Sequence, residues 1–138
     1  MTLKPDSYFA HDADIGIIGR GATLCEALVS AAEAMFAIMV DIQAVAPLCE
    51  IIIDFEEAEP EYALVTWLNL LIAKSQSQNL ILGRFELTRD HNHWHGRAWG
   101  EPWRASLLRG TEVKGATLTE LRVQQIDDHW EARCVVDV

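Results

Sequence analysis

The sequence predicts a single α+β domain, spanning residues 1–138, in which a largely antiparallel sheet packs against two helices. Three observations lead to this fold class. The length of 138 residues is typical of one domain. Half of the residues are apolar, which is enough for one sizeable core. Helical patterns lie before residue 80 and strand patterns dominate after it, and this segregation is typical of α+β folds.

The first strand and the first helix are predicted close to the N-terminus. Residues 13–20 alternate as a half-buried strand does, and Gly19 and Gly21 would then permit a turn. Thr23 and Glu26 have the spacing of a capping box, so a helix should begin just after Thr23. Its apolar stripe runs to about Val40 and consists of Leu24, Ala27, Leu28, Ala31, Met35, Ile38 and Met39.

A second strand and a second helix follow. Residues 47–55 contain three consecutive isoleucines, whose β-branching favours a strand and whose lack of alternation predicts burial on both faces. Pro60 fits the first turn of a helix, among glutamates that suit the positive end of the helix dipole. The polar run 75–79 should end this helix.

Two antiparallel hairpins are predicted in the rest of the chain. The first joins strands at 80–88 and 93–100 through a turn at 90–92. The second joins strands at 111–126 and 129–137. The connection between the hairpins should contain one helical turn.

Composition excludes several functional classes. The chain has 11 Lys and Arg against 21 Asp and Glu, a net charge of −10 that repels phosphate backbones, so we expect no direct binding of nucleic acid. No apolar run reaches the roughly 18 residues of a membrane helix, and residues 1–12 lack a secretory pattern, so we expect a cytoplasmic protein without membrane contact. Three dispersed cysteines indicate neither a disulfide framework nor a zinc knuckle.

His91, His93 and His95 are candidate metal ligands, because residues two apart share a strand face. The predicted turn at 90–92 would take His91 out of register, and we expect these histidines to bind no ion with catalytic consequence. The sequence also lacks a G-x-S-x-G elbow and a glycine-rich phosphate loop. It therefore predicts a protein that is not an enzyme.

The chain resembles the archease family along nearly its whole length. The resemblance rests on an H-x-A-D-I-G start, on E-A followed by A-M-F, on G-T-E-V-K and on a terminal acidic-apolar pair. The segments that carry it, in family order, are His11–Gly16, Leu24–Leu28, Ala32–Phe36, Trp67–Asn69, Arg97–Glu101, Gly110–Lys114 and Val135–Val138.

The resemblance implies a non-enzymatic, metal-binding partner of an RtcB-type RNA ligase of tRNA splicing, which joins RNA ends with GTP and a divalent metal. Archease promotes guanylylation and repeated turnover of that ligase. The acidic charge suits docking on a basic, RNA-handling partner. Three alternatives stay open: a chaperone-like modulator of another RNA-processing enzyme such as a tRNA methyltransferase, a metal-dependent hydrolase that uses the same acids, and a plain interaction module.

The resemblance also assigns roles to particular residues. It implies Asp14 and Asp137 as metal ligands, the chain-end carboxylate of Val138 as a further oxygen ligand, and Lys114 as a functional cation beside them. Such an all-oxygen set suits a hard ion, and we expect Ca²⁺, with Mg²⁺ or Mn²⁺ as the other possibilities.

The chain also departs from the family pattern. Asp12 stands where the family usually has Thr and could add a carboxylate to the site, and His11 precedes it in the same motif. Further departures occur at Leu70, at Thr119 and across residues 104–109. They leave open whether the partner is the ligase or another RNA-processing enzyme.

Overall fold

The computed structural model describes residues 4–138 as two antiparallel sheets with two helices between them. The elements are β1 (Tyr8–His11), β2 (Asp14–Gly21), α1 (Leu24–Met39), β3 (Cys49–Glu56), α2 (Pro60–Ser77), β4 (Leu80–Asp90), β5 (His93–Pro102), β6 (Gly115–Ala116), β7 (Arg122–Ile126) and β8 (His129–Asp137). Short 3₁₀ turns lie at Pro5–Ser7 and Ile42–Ala44. No helix in this part of the chain is long and apolar enough to cross a membrane.

Every strand pair is antiparallel. Sheet A has the order β1-β2-β8-β6, with β7 also paired to β8, and sheet B has the order β3-β5-β4. Both helices contact strands of both sheets, so the core lies on the helix-facing sides of the sheets. The predicted α+β class with a largely antiparallel arrangement is confirmed.

The first helix begins where the sequence predicts. The Thr23 hydroxyl accepts a hydrogen bond from the backbone N–H of Glu26 at 3.1 Å. The Glu26 carboxylate accepts one from the N–H of Ala22 at 2.9 Å. Two backbone donors at the helix start are thereby satisfied by side chains, which is the purpose of a capping box.

The predicted turn at Gly19 and Gly21 is wrong, because both residues lie in β2. A Cβ atom on Gly19 would lie 2.2 Å from the carbonyl oxygen of Ala27 in α1. Glycine is needed there because the helix backbone packs directly on the strand, and the chain turns only at residues 22–23.

The prediction that β3 is buried on both faces is also wrong. Ile51, Ile53 and Phe55 are buried, whereas the Ile52 side chain between them is half exposed. β3 is an edge strand of sheet B, and one face of that sheet packs on the helices while the other meets solvent.

The second helix begins at Pro60, as predicted, but extends through most of the polar run 75–79. Ser75 remains helical and buried because its hydroxyl donates to the carbonyl of Ile72 at 2.9 Å. Trp67 lies at the centre of the core, and its indole N–H donates to the carbonyl of Leu28 in α1 at 3.0 Å.

The first predicted hairpin is confirmed as β4 and β5, whereas the long strand predicted at 111–126 is wrong. Only β6 and β7 of that segment join the sheet, because the chain between them loops beside β8. There Thr117 donates to the carbonyl of Val135 through its hydroxyl at 2.8 Å, and Thr119 accepts from the Val135 N–H at 3.0 Å.

The connection between the hairpins is a turn rather than a helical turn. A backbone hydrogen bond closes this turn, from the Leu107 N–H to the carbonyl of Arg104 at 3.0 Å. The Arg104 guanidinium donates to the buried Glu101 carboxylate at 2.7 Å, which also accepts a backbone N–H from Ala46. This arginine and the backbone N–H hold the pKa of Glu101 below its usual value.

Candidate functional site

The residues singled out by the family resemblance converge at one end of sheet A. His11 of β1 pairs with Asp14 of β2. The β2–β8 register, continued one step past its last pair, sets Asp14 opposite Asp137. Asp137 in turn pairs with Gly115 of β6. We name the row of His11, Asp14, Asp137 and Gly115 the acidic edge; it crosses four strands where β1 and β8 end and β2 and β6 begin.

The two aspartates of the acidic edge share one face of sheet A. Successive side chains of a strand point to opposite faces, and Ile17 of β2 is fully buried in the core, so Asp14 lies on the face away from the helices. Residues directly opposite in an antiparallel pair have Cβ atoms about 4.5–5.5 Å apart on a common face. Asp14 is half-buried and Asp137 is exposed.

Backbone contacts tie the flanking residues to this row. The Val138 N–H donates to Asp14 Oδ1 at 3.3 Å, which brings the end of β8 onto the first aspartate. The Lys114 N–H donates to the carbonyl of Asp137 at 2.7 Å, and the Lys114 side chain is exposed. The sequence therefore named residues that the fold brings together.

Asn69 of α2 is a positioning residue that the sequence argument did not single out for the site. Its side chain accepts from the Ala116 N–H at 2.8 Å and donates to the Ala116 carbonyl at 3.1 Å. It thereby fixes β6, and with it the adjacent Lys114. The only sequence signal was its place in the Trp67–Asn69 segment, since the bond to β6 spans 47 positions.

Asp12 lies in the β1–β2 turn, directly after His11 of the acidic edge. Asp12 occupies the turn with a φ of 51° and an almost fully exposed side chain. The His11 Nδ1 lies 3.8 Å from the Asp12 carboxylate. The sequence predicts no strand before residue 13 and so places His11 ahead of the sheet, whereas His11 ends β1.

The donor chemistry of the acidic edge fits a hard cation. Asp14 and Asp137 carry carboxylate oxygens, Val138 beside them carries main-chain oxygen, and Asp12 carries a further carboxylate in the adjoining turn. Within residues 4–138, neither Asp14 nor Asp137 has a Lys, Arg or His nitrogen at salt-bridge distance. Neighbouring carboxylates repel one another, and oxygen ligands are those that Ca²⁺ and Mg²⁺ prefer.

The three histidines separate as the sequence predicts. His91 lies in the β4–β5 turn with a φ of 56°, and its Nδ1 lies 2.8 Å from Asp90. His93 and His95 instead stand on the outer face of β5, where their rings stack with centroids 4.3 Å apart.

The fold defines a small α+β protein in which two antiparallel sheets enclose a pair of helices and the last strand runs beside β2. The solution structure of Methanobacterium thermoautotrophicum protein 1598 has this architecture, with a TM-score of 0.86 and 26% identity over 96% of this chain and 97% of that one. The crystal structure of a Thermotoga maritima protein, described as an archease and possible chaperone, matches with a TM-score of 0.66 and 21% identity over 100% and 98% of the two chains, a likeness of fold.

Comparison of this sequence with known proteins identifies the family. Residues 7–138 match the model of the archease protein family (MTH1598/TM1083). The chain is 35% identical to the archease of Sulfolobus acidocaldarius over 134 residues, which cover 95% of this chain and 96% of that protein. The chain belongs to the archease family, and the resemblance found in the sequence is confirmed.

Proposed function

We propose that this chain is a non-enzymatic, metal-binding activator of an RtcB-type RNA ligase, which it contacts directly in the cytoplasm. The observation that carries the proposal is the convergence of Asp14, Asp137, Val138 and Lys114 on one edge of sheet A. These residues come from three separate segments of the chain. Their meeting at the end of the last strand supports a common role.

In this proposal, Asp14, Asp137 and a main-chain oxygen of Val138 hold a divalent ion, with Asp12 as a further carboxylate. The ion is most simply Ca²⁺, because the donors are oxygens and the turn at Asp12 is exposed and can adapt to a larger ion. A bound cation would neutralise the repulsion between these carboxylates. His11 and Lys114 flank the ion and contribute to docking.

The charge of the chain supports protein contact rather than contact with RNA. A net charge of −10 is attracted to a basic, RNA-handling surface and is repelled by the RNA itself. Lys114 is an exposed cation that flanks the acidic edge, so it offers a site for an acidic group of the partner.

A second candidate function is chaperone-like modulation of another RNA-processing enzyme, such as a tRNA methyltransferase. The description of the Thermotoga maritima relative as a possible chaperone favours it. Two of the departures from the family pattern, Leu70 and Thr119, differ in how exposed they are to a partner. Leu70 is partly buried and packs against the core, whereas Thr119 is exposed in the loop beside β8.

Thermal unfolding with and without Ca²⁺ tests the metal half of the proposal. An ion that binds only the folded state stabilises it by about 2.7 kcal/mol at 100 times Kd, or several degrees in Tm. Wild type should gain this shift. Asp14→Asn, which keeps an acceptor for the Val138 N–H, should lose it. The matched control Asp128→Asn, in the exposed β7–β8 turn, should keep it.

Ligase assays test the other half. The host's RtcB-type ligase is incubated with GTP and RNA ends, with wild type, Asp14→Asn, Lys114→Ala or Asp128→Asn. Wild type and the control should raise guanylylation and turnover, and the two site variants should not. Equal activation by all four proteins would contradict the assigned residues. A lack of activation, together with stimulation of the host's tRNA methyltransferase, would favour the second candidate.

A further inference from the structure

The outer face of sheet B carries a group of histidine and carboxylate side chains, which are residue types that can bind metals, on strands separate from those of the acidic edge. His93 and His95 lie two residues apart on β5 and so share a face. On the neighbouring strand β3, Glu56 pairs with His93 and Asp54 pairs with His95. The four side chains form two adjacent cross-strand pairs.

Three of these side chains bring their ligand atoms close together. One ligand atom each from Asp54, His93 and His95 lies within 4.8 Å of the other two. Tetrahedral zinc with bonds of about 2.0–2.2 Å needs neighbouring donors about 3.3 Å apart. The Asp54 Oδ1 and the His95 Nδ1 are already 3.1 Å apart. Both histidines and the aspartate are partly exposed, so small rotations of these side chains can bring a His93 ring nitrogen to the same distance.

The arginine that follows the histidines on β5 pairs with other carboxylates and not with Asp54. Arg97, the next outward residue of β5, lies 3.2 Å from Glu86 and 4.0 Å from Glu50. Within residues 4–138, His95 is the one basic side chain at salt-bridge distance from Asp54. The rings of His93 and His95 stack on each other, which keeps the two imidazoles side by side on this face.

Glu56 supports the arrangement. Its carboxylate lies 3.3 Å from the His93 Nδ1. A carboxylate on one ring nitrogen orients the imidazole and directs its other nitrogen to a metal, as is usual around metal-bound histidines. A depression of about 360 Å³ adjoins Asp54 and His95 and leaves room for water on an ion.

We propose that Asp54, His93 and His95 form a transition-metal site on the outer face of sheet B, with Glu56 orienting His93. Two imidazoles and one carboxylate suit Zn²⁺, Cu²⁺ or Ni²⁺ rather than Ca²⁺ or Mg²⁺. The site is distinct from the acidic edge in sheet, residues and ion class. The proposal departs from the sequence analysis, which favoured histidines that hold no metal ion, because the β3 carboxylates were not part of that comparison.

Among residue types that can bind metals, the three histidines lie close along the chain only to one another and to Asp90. Asp54 and Glu56 belong to β3 and reach the histidines only through the β3–β5 register. The sequence signal was the alternation of acidic and apolar residues in β3, which also describes an ordinary solvated edge.

Titration of the purified full chain, free of any histidine tag, tests the proposal. The probe is Zn²⁺, added in excess Ca²⁺ so that the acidic edge is saturated. Wild type should bind one Zn²⁺. His93→Gln, His95→Gln and Asp54→Asn should each weaken binding by at least about tenfold. His91→Gln, two residues away in the turn, and Asp14→Asn should bind as wild type does.

Co²⁺ provides a spectroscopic check, because a low-symmetry site with nitrogen ligands gives visible absorption that His95→Gln should abolish. Far-UV circular dichroism confirms that each variant is folded. A wild-type chain that binds no Zn²⁺, or binding that is unchanged in His93→Gln and His95→Gln, would overturn the site. Loss of Zn²⁺ binding in His91→Gln or Asp14→Asn would place the ion elsewhere and would equally overturn it. Failure here leaves the Ca²⁺ and ligase tests unaffected.

Discussion

Gly96 of β5 and Trp67 of α2 are packed so closely that an added methyl at one should be tolerated only with a smaller ring at the other. A Cβ atom on Gly96 would lie 2.4 Å from Cζ3 and 3.1 Å from Cη2 of Trp67, and 3.0 Å from the carbonyl oxygen of Ile53. Trp67 is fully buried. The indole therefore has no solvent-filled space into which it can move.

The expected magnitudes follow from this geometry. Gly96→Ala should destabilise the fold by about 3 kcal/mol, the upper end for overpacking, because the new atom meets both a buried ring and a carbonyl. Trp67→Phe should cost about 2–3 kcal/mol, since it removes the hydrogen bond to Leu28 and leaves a cavity. A phenyl ring ends short of Cζ3 and Cη2, so the alanine methyl can occupy the vacated space. The double variant should therefore be about 1–2 kcal/mol more stable than the sum of the single losses predicts.

Urea unfolding followed by far-UV circular dichroism measures these free energies without relying on tryptophan fluorescence. The control cycle combines Trp67→Phe with Gly83→Ala, whose Cβ would instead meet Val45 and the carbonyl of Ile42. That pair shares no partner and should be additive. Additivity of the Gly96 and Trp67 variants, or a loss below about 0.5 kcal/mol for Gly96→Ala alone, would refute the packing argument.

Three further predictions concern single residues. Thr23→Ala should lose about 1 kcal/mol in denaturant titration, because the Glu26 N–H loses its acceptor; an unchanged midpoint would contradict the cap. Glu101 has a folded pKa below its ordinary value of 4.5, so the stability it contributes is present above that value and lost as pH falls through the folded pKa. Glu101→Gln should therefore destabilise the protein near neutral pH and much less in acid, whereas equal losses at both would argue against the Arg104 pairing. Burial raises the pKa of Cys134 to about 12, so its thiol should resist a disulfide reagent until urea unfolds the chain, and rapid labelling of Cys134 in the native protein would contradict that burial.

Local signals in the sequence were dependable where a few adjacent residues decide the structure. The Thr23 cap and the start of α2 at Pro60 both depend on residues within about four positions of each other. The same reasoning failed for Gly19 and Gly21, which lie in a strand because the partner that needs their small size is the backbone of α1. Both a tight turn and a close contact with a helix favour glycine. Only the packing of the folded chain shows which of the two a particular glycine serves.

The sequence by itself determined the fold class, the helix starts and, through family resemblance, which acids belong together. Only the tertiary structure decided that the Val138 N–H meets Asp14, 124 positions away, and that Asp54 meets His95, 41 positions away. Strand register places these pairs, and a slip of one residue would move every side chain of a strand to the other face. That register depends on how both sheets pack against the helices, a property of the whole core that no local window of residues contains.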